Sequence, residues 1–175
     1  MKIHNQGAVE SLNEGLKIIV PTKESRSVRF TDLWRVFKDS LRIKLAMLSP
    51  FPGKYEKAAS ISHCQIEAND PLRFFVVAPQ FGWYYGNRLF KVRTIINPRI
   101  ISTGGMLLKS KEGCMSFPFE RLLAVKRHQI VELEYMTIFG KKRRKFYEFR
   151  AAQIQHECDH MNNITIVEKY YHKKK

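Results

Sequence analysis

The sequence predicts an α+β fold: a helix near the start, a run of strands through the middle, and a second helix near the end. Three observations carry this. Apolar residues recur at three or four residue spacing from Leu33, strand-like runs separated by turn signals fill the middle, and the period lengthens again from about Phe146. The architecture expected is antiparallel-leaning mixed sheets around the late helix.

Taken in order, Thr31 can cap a first helix whose apolar positions are Leu33, Trp34, Phe37, Leu41, Leu45 and Leu48. Ser49-Pro50 and Pro52-Gly53 end it. Strands are expected at "SISHCQI", at "LRFFVVA" after the Asn69-Asp70-Pro71 turn, and at "VRTIINP". A further pair is "LLAVKRHQIVELEYMTIF" and "KFYEF", joined through "GKKRRK" with Gly140 at the turn. On the late helix Phe149, Ala152, Gln153, His156 and His160 share a face.

At 175 residues, with no repeat or linker, the chain reads as one domain, 1–175, with a ragged basic tail from about 168. Hydrophobic residues at 44% support a packed core and exclude a largely disordered chain. Lys and Arg number 31 against 16 Asp and Glu, so the net charge of +15 suits a polyanionic partner, although a basic solvated surface gives the same count. Three cysteines and a start without a signal-like apolar core point to a reducing compartment, cytoplasm or organelle matrix. No apolar run is long enough to cross a bilayer, so no membrane partner is expected. Nothing in the sequence sets the oligomeric state.

The segment "QIQHECDH" carries most of the chemical information. On a helix, His156 and His160 point the same way and can bring two imidazoles to one ion. Glu157 can reach a water on that ion without ligating it. A catalytic site of this kind needs a third protein ligand. The extended form HExxHxxGxxH is absent, because Asn163 and Ile166 stand where Gly and His are required. Too little chain follows for a returning helix, so the ligand should come from upstream. Cys114 in "KEGCMSFP" is a thiolate candidate for zinc or iron(II), with Cys64, His63 and His128 as alternatives. Cys158 falls on the opposite helical face and suits the core.

Together "EGCMS", residues 112–116, and "QHECDH", residues 155–160, resemble the peptide deformylase signatures EGCLS and QHExDH. The resemblance spans roughly Leu16 to Ile166. A third signature, GxGxAAPQ, is half kept in "RFFVVAPQ", where Ala78, Pro79 and Gln80 match while Arg73 and Phe75 replace the glycines. The resemblance implies Cys114, His156 and His160 as ligands of one divalent metal, iron(II) natively, with zinc or nickel able to replace it. It implies Glu157 as general base and acid, and Gln80 with the Met115 amide as the oxyanion site. Apart from the resemblance, Gln80 reads as a glutamine bonded to a neighbouring loop. Glu112 is expected to fix the turn or support a ligand, and is also a pocket candidate. Phe149, Ala152 and Gln153 are pocket candidates, and Phe75 either narrows the cleft or turns into the core.

The activity implied is removal of the N-formyl group from the N-terminal methionine of nascent polypeptides, with release of formate. "GKKRRK" and the terminal "HKKK" are candidate contacts to the ribosome or its RNA. Two alternatives accompany that reading: an amidase of the same scaffold with altered acyl or peptide specificity, and a weakly active RNA-associated homologue.

Overall fold

The computed structural model describes residues 16–48, 59–78, 92–117, 122–137 and 140–171. Its centre is one antiparallel sheet in the order β1-β2-β3-β4-β5. The strands are β1 (Ser60–Ser62), β2 (Phe74–Val77), β3 (Arg93–Glu112), β4 (Leu123–Thr137) and β5 (Gly140–Tyr147). Helix α1 (Leu33–Leu48) precedes them, and α2 (Glu148–Met161) and α3 (Ile166–Tyr171) follow. The α+β expectation holds, with one antiparallel sheet in place of mixed sheets.

Strand β2 shows why the core has two halves. "FFVV" is apolar without alternation because both faces of the strand are covered. Phe74 and Val76 pack with Val36, Ile43 and Met47 of α1, whereas Phe75 packs with Ala151, Ile154, Cys158 and Met161 of α2. The Phe75 ring is fully buried and belongs to the core. Arg73 turns away as well, donating to Pro98 O and to Asn162 Oδ1.

Two strands run further than their sequence pattern indicated. β3 continues past Asn97-Pro98 to Glu112 by absorbing register shifts, one of them beside Gly105. That residue has φ +69°, and a Cβ there would lie 2.8 Å from Gln129 Oε1. β5 takes up "GKKRRK", which the sequence reading had treated as a connection. Acidic residues of β4 face its cations, Glu132 opposite Lys145 and Glu134 opposite Arg143, and opposite charges across a ladder favour pairing.

Helix α1 is oriented by a polar contact. Asp39 is buried with its carboxylate 3.2 Å from His63 Nε2, and His63 Nδ1 accepts the Leu72 N–H at 2.9 Å. Seating Asp39 inward also seats Val36, Ile43 and Met47. Leu33, Trp34, Phe37, Leu41 and Leu45, the stripe that marked the helix in the sequence, consequently face outward.

Helix α2 is buried over most of its circumference, as a helix laid across a sheet must be. It ends in a Schellman arrangement, with Ile164 N–H donating to Asp159 O at 2.8 Å and Asn163 N–H to His160 O at 3.0 Å. Asn163 adopts φ +56° there, the left-handed conformation that a glycine would otherwise supply. The expected ragged tail begins as helix α3, and its last residues, 172–175, lie outside the described set.

The orientation of α1 is testable by chemical unfolding. Ile43→Ala should cost about 2–5 kcal/mol, whereas Phe37→Ser should stay within about 0.5 kcal/mol of the parent. Burial lowers the His63 pKa below its usual 6.5, despite the raising effect of Asp39. A histidine held neutral in the fold binds fewer protons than in the unfolded chain, so stability is lost as pH falls through 6.5. Ring chemical shifts should show His63 titrating below that value.

Candidate metal centre

Three elements meet around the histidines of α2: strand β1, the end of β3 with the turn that follows, and α2 itself. Gly113 links β3 to that turn at a close approach, since a Cβ there would lie 3.2 Å from Leu122. Cys114 follows, its carbonyl accepting the Phe117 N–H at 3.0 Å. The Cys114 sulfur is 3.1 Å from His160 Nε2, which is 3.0 Å from His156 Nε2. Ligand atoms of all three residues lie within 4.8 Å of one another, close enough to surround a single ion.

The surroundings favour that use. His156 Nδ1 is 2.9 Å from Glu112 Oε2, which orients the ring with Nε2 towards the cluster. Burial alone would raise the Cys114 thiol, but His160 and His156 bring it down to about 6, a thiolate at neutral pH. Burial opposes protonation of His156, yet Cys114 and Glu112 raise it to about 10, so an ion would bind by displacing a proton from this ring. A thiolate beside two imidazoles is a donor set suited to zinc or iron(II), so these residues fit a divalent ion.

Glu112 does not reach the ion position; it is gripped from behind. Arg127 is 2% exposed and forks onto Glu112 through Nε–Oε1 and Nη2–Oε2 contacts of 2.8 Å, while its Nη1 reaches Asp159. Burial raises the Glu112 carboxyl, but Arg127 and His156 hold it down at about 2, so it is an anion throughout the neutral range. Arg127 thereby joins β3, β4 and α2. Gln155 adds a second tie, accepting the His128 N–H at 3.1 Å and donating to His128 O at 2.9 Å. Its amide gives β4 the pairing that β5 supplies further along.

The Glu157 carboxylate is buried and accepts from two serines of β1, Ser60 at 2.6 Å and Ser62 at 2.5 Å. Gln153 donates to Ser60 Oγ at 3.1 Å and accepts from Arg150 at 2.6 Å. A cleft of about 490 Å³ opens over these groups, lined in part by Glu112, Met115, Phe149, Ala152, Gln153 and His156. Every described pocket candidate except Phe75 therefore borders it. Gln80 lies outside the described residues. The alternative ligands are elsewhere: Cys64 is in the core with its thiol pushed up by burial to about 12, and His63 serves Asp39. His128, on β4, is not in the cluster, and Cys158 packs in the core as expected.

Among the described residues, the structure also brings Gln65 to the cluster. Its Oε1 accepts the Ser62 N–H at 2.9 Å, and its Nε2 donates to Ser116 Oγ at 3.0 Å and lies 3.9 Å from Cys114 Sγ. The amide is therefore fixed at both ends, with N–H directed at the cluster.

The family model for polypeptide deformylase matches residues 36–175. The chain belongs to this family. Peptide deformylase 2 of Shewanella oneidensis is 27% identical over 137 residues, covering 77% of this chain and 74% of that protein. The peptide deformylase of Rhodopseudomonas palustris is 29% identical over 152 residues, 86% of this chain and 82% of its own length. Among solved structures, the Plasmodium falciparum peptide deformylase superposes with a TM-score of 0.70 at 26% identity, over 90% of this chain and 89% of that one. Polypeptide deformylases are metallohydrolases that use a single ion to remove the N-formyl group from nascent polypeptides, and this chain is accordingly an enzyme of that class.

Gln65 was missed in the sequence; its signal is a polar residue near the end of "SISHCQI", the first strand-like run. Arg127 was also missed; it was legible as a charge at an inward strand position, two residues after Val125.

Removing Arg127 tests the grip behind the site. Arg127→Met would leave Glu112 with His156 alone and Asp159 with Lys169 alone, both half-buried, and should cost about 3–5 kcal/mol in urea unfolding.

Proposed function

We propose that Cys114, His156 and His160 hold one divalent ion, iron(II) natively with zinc or nickel able to replace it, and that this cleft carries out the deformylation. The reading rests on one observation above all: the three ligand atoms converge beside a carboxylate and a fixed amide at the floor of one cleft. A bound ion supplies Lewis acidity, which makes water a nucleophile near neutral pH.

The chain's own residues do the rest. Glu157 takes the proton as the water attacks the formyl carbonyl, and Ser60 and Ser62 keep its carboxylate aimed into the cleft. Gln65 Nε2 and the Met115 backbone N–H donate to the oxygen that gains negative charge, where preformed donors contribute most. Glu157 then returns the proton to the departing amine, leaving formate and a free N-terminus. Ala152 and Gln153, with the half-exposed Phe149 ring, receive the methionine side chain.

The enzyme would act in the cytoplasm or an organelle matrix, where its free cysteines stay reduced. The exposed cations of β5 suit phosphate contacts near the ribosome. Arg73 and Phe75, which stand where the resemblance expects glycines, favour an altered acyl or peptide specificity as the second reading.

Formate release from formyl-Met peptides, with metal content measured on the same samples, tests these roles. Glu157→Gln should keep the metal and lower kcat by about 10²–10⁴. Gln65→Ala should lower kcat by about 10²–10³, and Gln80→Ala should change it little. The reverse order for the two glutamines would return the oxyanion role to Gln80.

A further inference from the structure

The hydrolytic site leaves the outer face of α1 without a role. Trp34 is 73% exposed, Phe37 58% and Leu45 56%, with Leu33 and Leu41 between them and Phe30 just before the helix at 87%. At 100° per residue the five helical positions fall within about 120° of arc. The Trp34 and Phe37 rings stack with centroids 5.7 Å apart. A contiguous apolar face of this kind marks a surface that meets another phase or partner.

Charge selects the occupant. Of the cations on helix α1, Arg35 is paired with Asp70 at 2.7 Å and Arg42 lies 3.6 Å from Asp39, the one carboxylate of the helix, which is turned inward towards His63, while Lys38 is exposed and Lys44 half-buried. Lys38 borders one edge of the apolar arc and Lys44 lies near the other, where long side chains can lay their stems along the apolar surface with the ammonium outward. The chain as a whole carries +15. Two copies meeting through this face would oppose like charges with no free carboxylate on α1 to pair them. Nucleic acid would meet the cations but leave the Trp, Phe and Leu side chains without an apolar partner. An anionic bilayer surface satisfies both halves: acyl chains take the aromatic and aliphatic groups, and headgroups take the cations.

We propose that the α1 face docks the protein on an anionic lipid surface, the helix lying flat at the headgroup boundary. Such docking needs no spanning segment, and no helix among the described residues is long and apolar enough to cross a membrane.

The test uses the full chain and vesicles of phosphatidylglycerol in phosphatidylcholine. The protein should float with these vesicles, less so in high salt, and not with phosphatidylcholine alone. Trp34→Ser combined with Phe37→Ser should weaken partitioning at least about tenfold without moving the thermal unfolding midpoint. In a Trp83→Phe background, where Trp34 is the one remaining tryptophan, phosphatidylglycerol with brominated acyl chains should quench the emission. Absence of flotation, flotation unchanged by the double substitution, or Trp34 emission left unquenched by the brominated lipid would each overturn the proposal. So would a dimer that the double substitution dissolves in a protein that ignores vesicles, since the face would then belong to a second copy.

Discussion

The buried guanidinium of Arg127 is the constraint on which the rest of the site depends. A cation with 2% exposure is tolerated only if its charge is matched, and here Glu112 and Asp159 match it from opposite sides. Glu112 closes β3 immediately before the Cys114 turn, and Asp159 lies between Glu157 and His160 on α2. One side chain thereby sets the distance between the strand that brings the sulfur and the helix that brings the imidazoles. Glu112 extends the same network to His156 Nδ1, so ring orientation is fixed by the contact that holds the fold together.

Function and packing are joined a second time at β1. Both oxygens of Glu157 accept serine hydroxyls, and the strand carrying those serines is continued by the turn that carries Gln65. The proton-transfer group and the amide are therefore positioned by one short piece of backbone. Ser116 connects that piece to the Cys114 turn, since its hydroxyl accepts from Gln65 and donates to Ile19 O. Such cross-connection suits a site that must be ordered before its substrate arrives.

What the sequence made legible were the features whose geometry is local. Two histidines one turn apart on a helix need no tertiary information, and "EGC" is three consecutive residues at a strand end. The α+β outline also followed from periodicity. What stayed hidden depended on contacts between distant segments. Gln65 lies near the end of a strand-like run, and only the pairing of β1 beside Glu157 brings it to the site. Phe75 could be assigned to the core only once β2 was known to be covered on both faces. The apolar stripe of α1 identified the helix but not its buried side, because that side is chosen by the Asp39–His63 pair and by smaller residues such as Val36. The length of β3 beyond "VRTIINP" was not legible, because the strand continues only through register shifts that its pairing with β4 absorbs.

The central claim is that one sulfur and two imidazoles, brought from two elements, converge on one ion. X-ray absorption of the metal in anaerobically purified protein addresses it directly. The account predicts one sulfur at about 2.3 Å together with imidazole scattering, and loss of that sulfur in Cys114→Ser. A metal environment without sulfur, or one whose sulfur survives Cys114→Ser, would contradict it.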